Sequence, residues 1–350
     1  MSLMRRSGIP VLLAALGLGA SASQSMAQTY SVTDLGTLPG NTVSEATALN
    51  DAGEAAGMSS NPGGAVAVMF SDAKVTNISR GGNNVSLATA INASGEITGY
   101  TLIESARKSE SVAFLYSNGK TTNLFSAALF PSGTEAYGID NAGEVVGTGY
   151  LSSANFHAFL YSGGKMTDLG PPEAYQATAY AINTSGQVVG TYASNSGASG
   201  TFLYTDGMMT ILPSPPGPSS IGYGSAINDK GEIAGYLFVA ESYHAAKFSN
   251  GVWTDLGEIS GADYNVALGI NLSGQIVGTS RFPSTYKPFR AGKHVPFMST
   301  AAGLVDLNTL IPSGTGFILT DAVAINETGQ IFCDATYVSG NEHAVLLSPR

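Results

Sequence analysis

Cysteine occurs once in this chain, at Cys333, so no disulfide can form within it. A lone cysteine that stands where the other repeats carry glycine reads as a small core residue. Charge is scarce too, at 11% of residues, and cations are the scarcer sign, with 15 Lys and Arg against 25 Asp and Glu. That balance excludes the basic footprint of a general nucleic-acid binder. Long apolar runs are missing: the longest, IPVLLAALGLGA (9–20), falls short of the roughly 20 residues that span a bilayer. Also absent are a helical apolar period, a Gly-x-Ser-x-Gly elbow, His-Glu-x-x-His, Cys-x-x-Cys, a Walker loop and an EF-hand loop. The lack of these signatures argues for binding rather than catalysis and gives no cofactor and no metal.

The first 27 residues follow another pattern. Arg5 and Arg6, the apolar stretch and Ser25-Met26-Ala27 give the basic, hydrophobic and small-residue order of a secretory signal peptide cut after Ala27. The expected mature chain, 28–350, has 25 acids against 13 Lys and Arg, a net charge near −12. It is expected to be exported to a bacterial periplasm or beyond, as a monomer.

What the chain has in abundance is glycine, 44 residues of it, and repetition. One phrase recurs seven times: ALNDAGEAAG (48–57), AINASGEITG (90–99), GIDNAGEVVG (138–147), AINTSGQVVG (181–190), AINDKGEIAG (226–235), GINLSGQIVG (269–278) and AINETGQIFC (324–333). Each reads as strand, turn, strand. Asn at the turn's start can accept backbone hydrogen bonds, and Gly three residues later supplies a positive φ. The seven Asn and seven Glu/Gln are therefore turn chemistry rather than a metal ring. A second phrase follows the first, as in FLYSNGKTTNLF (114–125) and FLYSGGKMTDLG (159–170), and reads as a hairpin.

Four strands per repeat and seven repeats predict an all-β, seven-bladed β-propeller of four-stranded antiparallel blades. The seventh repeat runs out of chain after its third strand, HAVLL (343–347). YSVTDLGTL (30–38) matches an orphan fourth strand. Residues 30–36 beside 343–347 would close the ring and remove its open edges.

The paired phrases resemble the HAF family of extracellular repeats, named for a His-Ala-Phe consensus. FHAFLYSGGKMTDLG (156–170) and AYAINTSGQVVG (179–190) carry the likeness, and LVDLNTLIPSG…AINETGQI…HAVLL (304–347) is similar to that family's final repeat. The resemblance implies an exported repeat protein and brings no catalytic residues with it.

Candidate ligand contacts come from loops, where a repeated scaffold varies. TSRFPSTYKPFRAGKH (279–294) gathers Arg281, Lys287, Arg290 and Lys293 with no acid, interleaved with Phe282, Tyr286 and Phe289. That mixture suits an anionic glycan. Its bland counterpart is a solvated insertion. Tyr100, Tyr150, Tyr192 and Tyr236 follow second strands and form either a stacking rim or packing between blades. His157, His244 and His343 read as strand-end residues. Glu104, Glu110, Glu135, Glu241 and Asp263 could meet on the loop face.

The function expected is non-enzymatic binding of an anionic glycan or a surface protein. The alternatives are a polysaccharide hydrolase or lyase with its site on the loop face, or a purely structural repeat.

Overall fold

The computed structural model describes residues 28–80, 85–104, 109–170, 174–215, 220–239, 241–283, 293–337 and 340–350. These form strands and a single 3-10 turn at Leu307–Thr309. After β1 (Tyr30–Asp34), the chain folds as successive four-stranded meanders. They are β2 (Val43–Leu49), β3 (Ala55–Asn61), β4 (Gly64–Ser71) and β5 (Lys74–Asn77), then β6 (Val85–Ile91), β7 (Ile97–Glu104), β8 (Ser109–Ser117) and β9 (Lys120–Leu124). Next come β10 (Thr134–Ile139), β11 (Val145–Tyr150), β12 (Phe156–Ser162) and β13 (Lys165–Asp168), and β14 (Ala174–Ile182), β15 (Val188–Ser194), β16 (Ser199–Thr205) and β17 (Met208–Ile211). The fifth and sixth are β18 (Ile221–Ile227), β19 (Ile233–Val239), β20 (Ser242–Ser249) and β21 (Val252–Gly257), and β22 (Tyr264–Ile270), β23 (Ile276–Arg281), β24 (His294–Thr300) and β25 (Gly303–Asp306). The last is β26 (Phe317–Ile325), β27 (Ile331–Tyr337) and β28 (Glu342–Pro349), completed by β1.

β1 pairs antiparallel with β28, Tyr30 opposite Pro349 and Asp34 opposite Val345. The partner segment thus lies two residues beyond the 343–347 read from the sequence. The register follows from an ion pair. His157 Nδ1 meets Asp168 at 2.9 Å and His244 meets Asp255 at 2.8 Å, each between third and fourth strands. His343 meets Asp34 at 3.0 Å across 309 residues, so the two ends of the chain reproduce a contact that other repeats make locally.

The repeated turns form as their sequence requires. The glycines at 53, 95, 143, 186, 231, 274 and 329 all have φ between +73° and +81°. Asn50 Oδ1 accepts from the backbone N–H of Ala52 and Glu54, at 3.1 and 2.9 Å; the next four turns repeat this, and in the last two the hydroxyls of Ser273 and Thr328 take the place of the first N–H. The same side chain also ties repeats together. Asn50 Nδ2 donates to the carbonyl of Asn92, Asn92 to Asp140, Asn183 to Asn228, Asn228 to Asn271, Asn271 to Asn326 and Asn326 to Asn50, all at 3.0–3.2 Å.

The apolar pair after each turn makes the core. Ala55, Ile97, Val145, Val188, Ile233, Ile276 and Ile331 are all at most 1% exposed. They pack between sheets: Phe70 of one meets Phe332 of another edge-on, ring centroids 6.0 Å apart. Cys333 lies fully buried among Val277, Leu319, Val345 and Leu347.

Candidate functional site

One feature of the first strands builds the site. Each of β2, β6, β10, β14, β18, β22 and β26 breaks register near its end, skipping Thr47, Thr89, Tyr137, Tyr180, Ser225, Leu268 and Val323 respectively. A β-bulge leaves one residue out of the ladder and re-aims its side chain. All seven of these residues line a single cavity of about 500 Å³. The bulge also explains a glycine. It brings the carbonyl of the residue two places upstream over the neighbouring strand, so a Cβ at Gly147 would lie 2.0 Å from the Glu135 oxygen. Five equivalent glycines show 1.9–2.1 Å. Where Cys333 occupies this position, β26 carries a second irregularity, at Thr320.

The cavity is rich in tyrosine. Tyr223, Tyr236 and Tyr264 join Tyr137 and Tyr180 in its lining. Tyr236 stacks on Tyr223 at 5.0 Å, Tyr137 lies 6.1 Å from Tyr180, and Tyr264 contacts Tyr236 at 6.3 Å. The Tyr137 and Tyr150 hydroxyls both donate to Glu135. Burial, then the charge and hydrogen bonds of Glu135, raise both phenols above the ordinary tyrosine range. Both stay neutral donors at any physiological pH.

Leu268 and Val323 are shared with a second cavity of about 520 Å³, which is acidic. Glu45, Asp321, Asp334 and Glu342 line it, with Arg281 and His294 as the basic groups of its wall among the described residues. Asp321 is held by His294 at 3.1 Å, and Asp334 Oδ1 accepts the Ala46 N–H at 2.6 Å. Burial, followed by repulsion from Asp321, Glu45 and Glu342, pushes the Asp334 carboxyl up to about 8. Burial and the charges of Glu342 and Asp321 also raise Glu45.

The sequence-derived candidates distribute unevenly over this site. Tyr236 lines the tyrosine cavity, and Tyr100 packs edge-on against Tyr137 at 6.4 Å. Tyr150 reaches Glu135 and packs on Phe156, while Tyr192 lies against the core around Val188 and Phe202. Arg281 stands 5.4 Å over the Tyr264 ring, at the acidic wall. Lys293 sits 5.5 Å over Phe282, and Lys293 also borders a separate cavity with residues 312–318. Tyr286, Lys287, Phe289 and Arg290 lie outside the described residues. Of the five loop-face acids, Glu135 touches a lining residue of the tyrosine cavity, accepting a hydrogen bond from the Tyr137 hydroxyl. The four acids that line the acidic cavity sit within strands, where a search of loops does not look.

The bulged column was also missed, although the sequence carries its signal. The position three before each turn Asn varies as Thr, Thr, Tyr, Tyr, Ser, Leu and Val beside near-constant neighbours. Variation at a strand position between two near-constant small residues marks side chains that face a cavity rather than a partner strand. Among the described residues, no group of His, Cys, Asp and Glu could hold a metal ion.

The chain is similar to the β-propeller domain of the Trilobed protease from Pyrococcus furiosus, with TM-score 0.53 and 8% identity over 89% of this chain and 95% of that one. The fold is a β-propeller. TolB from Acinetobacter baumannii (TM-score 0.47, 11% identity, 85% of this chain) and the acylaminoacyl peptidase of Pyrococcus horikoshii (0.49, 10%, 84%) are also similar. The chain spans 65% of the length of TolB and 50% of the peptidase. No protein-family model matches the chain, so the HAF resemblance stands on its two phrases alone, and no curated protein matches it either. No helix among the described residues is long and apolar enough to cross a membrane.

Proposed function

We propose that this propeller is an exported binding module whose ligand, a polyhydroxylated unit such as a saccharide end, seats in the tyrosine-lined cavity. The observation that carries this is the column of seven bulged residues converging on one cavity beside Tyr223, Tyr236 and Tyr264. Tyrosine offers ring faces for stacking and hydroxyls for hydrogen bonding, the pairing that sugar rings require. In this reading the sheets are seven blades and β1 closes them as a ring, supported by the His343–Asp34 pair and by Asn326 donating to Asn50. Export follows from the signal-like leader, and kinship with HAF repeats from the paired phrases.

Charge refines the ligand. The cationic loop suggests an anionic glycan, but the adjoining wall holds four carboxyl groups, of which Asp334 keeps its proton near neutrality, against Arg281 and His294. A neutral or amino-bearing saccharide suits that wall better than a sulfated one. Calorimetric titration of residues 28–350 with neutral, amino and sulfated oligosaccharides tests this. We expect binding to the first two classes, weakened about tenfold by Tyr137→Ala or Tyr264→Ala, corresponding to about 1.4 kcal/mol. Binding confined to sulfated sugars, or unaffected by both substitutions, would overturn the assignment.

A second reading rests on Asp334, a carboxyl that holds its proton near neutrality beside other carboxylates. Such a pairing can serve as acid and base in glycoside hydrolysis. New reducing ends in the same incubations, lost in Asp334→Asn, would select it.

A further inference from the structure

Six of the seven turns begin with Asn, and all six spend the amide group identically. Nδ2 donates to the Glu or Gln four residues on at 2.8–3.0 Å, and to the next repeat's carbonyl at 3.0–3.2 Å. The third repeat has Asp140 instead. Its Oδ1 accepts from the N–H groups of Ala142 and Glu144, at 2.9 and 2.8 Å, as in the first, second, fourth and fifth turns. By its place in the phrase, Oδ2 takes the position of the amide nitrogen, and no bond from it to the Asn183 carbonyl matches those that the six Asn residues make. Asp140 is only 5% exposed. An acceptor has replaced a double donor, between the Glu144 carboxylate and the Asn183 carbonyl. Both Asp140 and Asn183 border a small cavity of about 240 Å³ on the turn side.

We propose that the seam between the third and fourth repeats is a proton-operated joint: on folding, Asp140 takes one proton from solvent and donates it to the Asn183 carbonyl. The O–H then substitutes for the missing amide hydrogen, and the contact between repeats is made as elsewhere. Nothing else on hand neutralises the site. The charged groups facing Asp140 are carboxylates: Glu144 in its own turn, whose Oε1 accepts from Ser162, and Glu96 of the second repeat, which lies against Gly143. Glu96 is already engaged by Asn92 and Ser117. On the far side stand Asn183 and Thr184, both uncharged. Burial, opposed by the backbone N–H groups of Glu144, Ala142 and Gly143 and reinforced by the charge of Glu144, holds the Asp140 carboxyl above its ordinary range. With its folded value raised, the joint is fully made below the ordinary aspartate range and is lost as pH rises through the folded value.

Thermal unfolding of residues 28–350 and of Asp140→Asn, between pH 5 and 9, tests the joint. Asn occupies this position in six repeats, so the variant should fold. It should melt higher than the parent, with a gap that widens with pH to about 2–4 °C. Protection factors of the amides at 138–147 and 181–190, taken relative to the intrinsic exchange rate at each pH, should fall in the parent alone as pH rises. Glu144→Gln should move the widening to lower pH, because the like charge is gone. A gap independent of pH, or a parent at least as stable as the variant, would refute the proposal. A gap that closes on adding Na⁺, K⁺ or Ca²⁺ at fixed pH would replace the proton with a bound cation.

Discussion

Asp334 lies in β27 with Asp321 opposite it in β26, and both face the acidic cavity. With its folded value raised to about 8, it contributes stability that is complete below about pH 4 and lost as pH climbs through 8. Asp334→Asn should therefore flatten the alkaline fall in stability, read as a smaller drop in urea midpoint between pH 5 and 9. An unchanged slope would show that the carboxyl is not the group titrating. Asp34 runs the other way. Burial opposes its charge, but hydrogen bonds from Tyr337, the Gly36 N–H and His343 outweigh burial and hold it below its ordinary value. Its contribution is present above about pH 4 and is lost as pH falls further. Neither residue could be singled out from the sequence, because an acid's environment depends on which strands stand beside it. Glu45 and Glu342, which act on Asp334, lie nearly 300 residues apart in the chain.

At the scale of the strand, the turns were legible and the bulges were not. Asn50, Gly53 and their counterparts announce a local hydrogen-bond pattern complete within five residues. The register break at Thr47 or Tyr137 depends on a neighbouring strand and leaves only an indirect trace, the glycine that makes room for it. Gly147 supplies the check. Its Cβ would meet the Glu135 carbonyl at 2.0 Å, a backbone atom that cannot swing aside. Gly147→Ala should cost at least about 2 kcal/mol in denaturant unfolding. Cys333→Gly, at the same place in the last repeat, should instead fold and lose the packing of one buried side chain. If Gly147→Ala is neutral, the bulge can relax, and its role in aiming Tyr137 falls with it. The cationic loop shows the opposite limit: its composition stood out at once, yet Arg281 points to a wall of acids that composition alone does not announce.

At the scale of the whole molecule, the repeat period carried the architecture, because each repeat specifies the same four strands independently. The two ends of the chain are joined by five residue pairs between β1 and β28, by contacts of His343 and Tyr337 with Asp34, and by links between the last and first repeats, among them Asn326 to Asn50 and Phe70 against Phe332. Removing residues 28–38 should leave β28 with an unpaired edge, broaden the thermal transition and promote association, seen by size-exclusion chromatography. A truncated chain as monomeric and as stable as the parent would refute the role given to β1. The pairing also sets a clock. Asp34 leaves the ribosome 309 residues before His343, so at about 5–20 residues per second its strand waits some 15–60 s for the partner to be made. Nearest-neighbour sheets can form during that interval, but the final seam cannot. Until residues 345–349 are made, β1 has no partner strand, so its edge stays open to other chains for that whole interval.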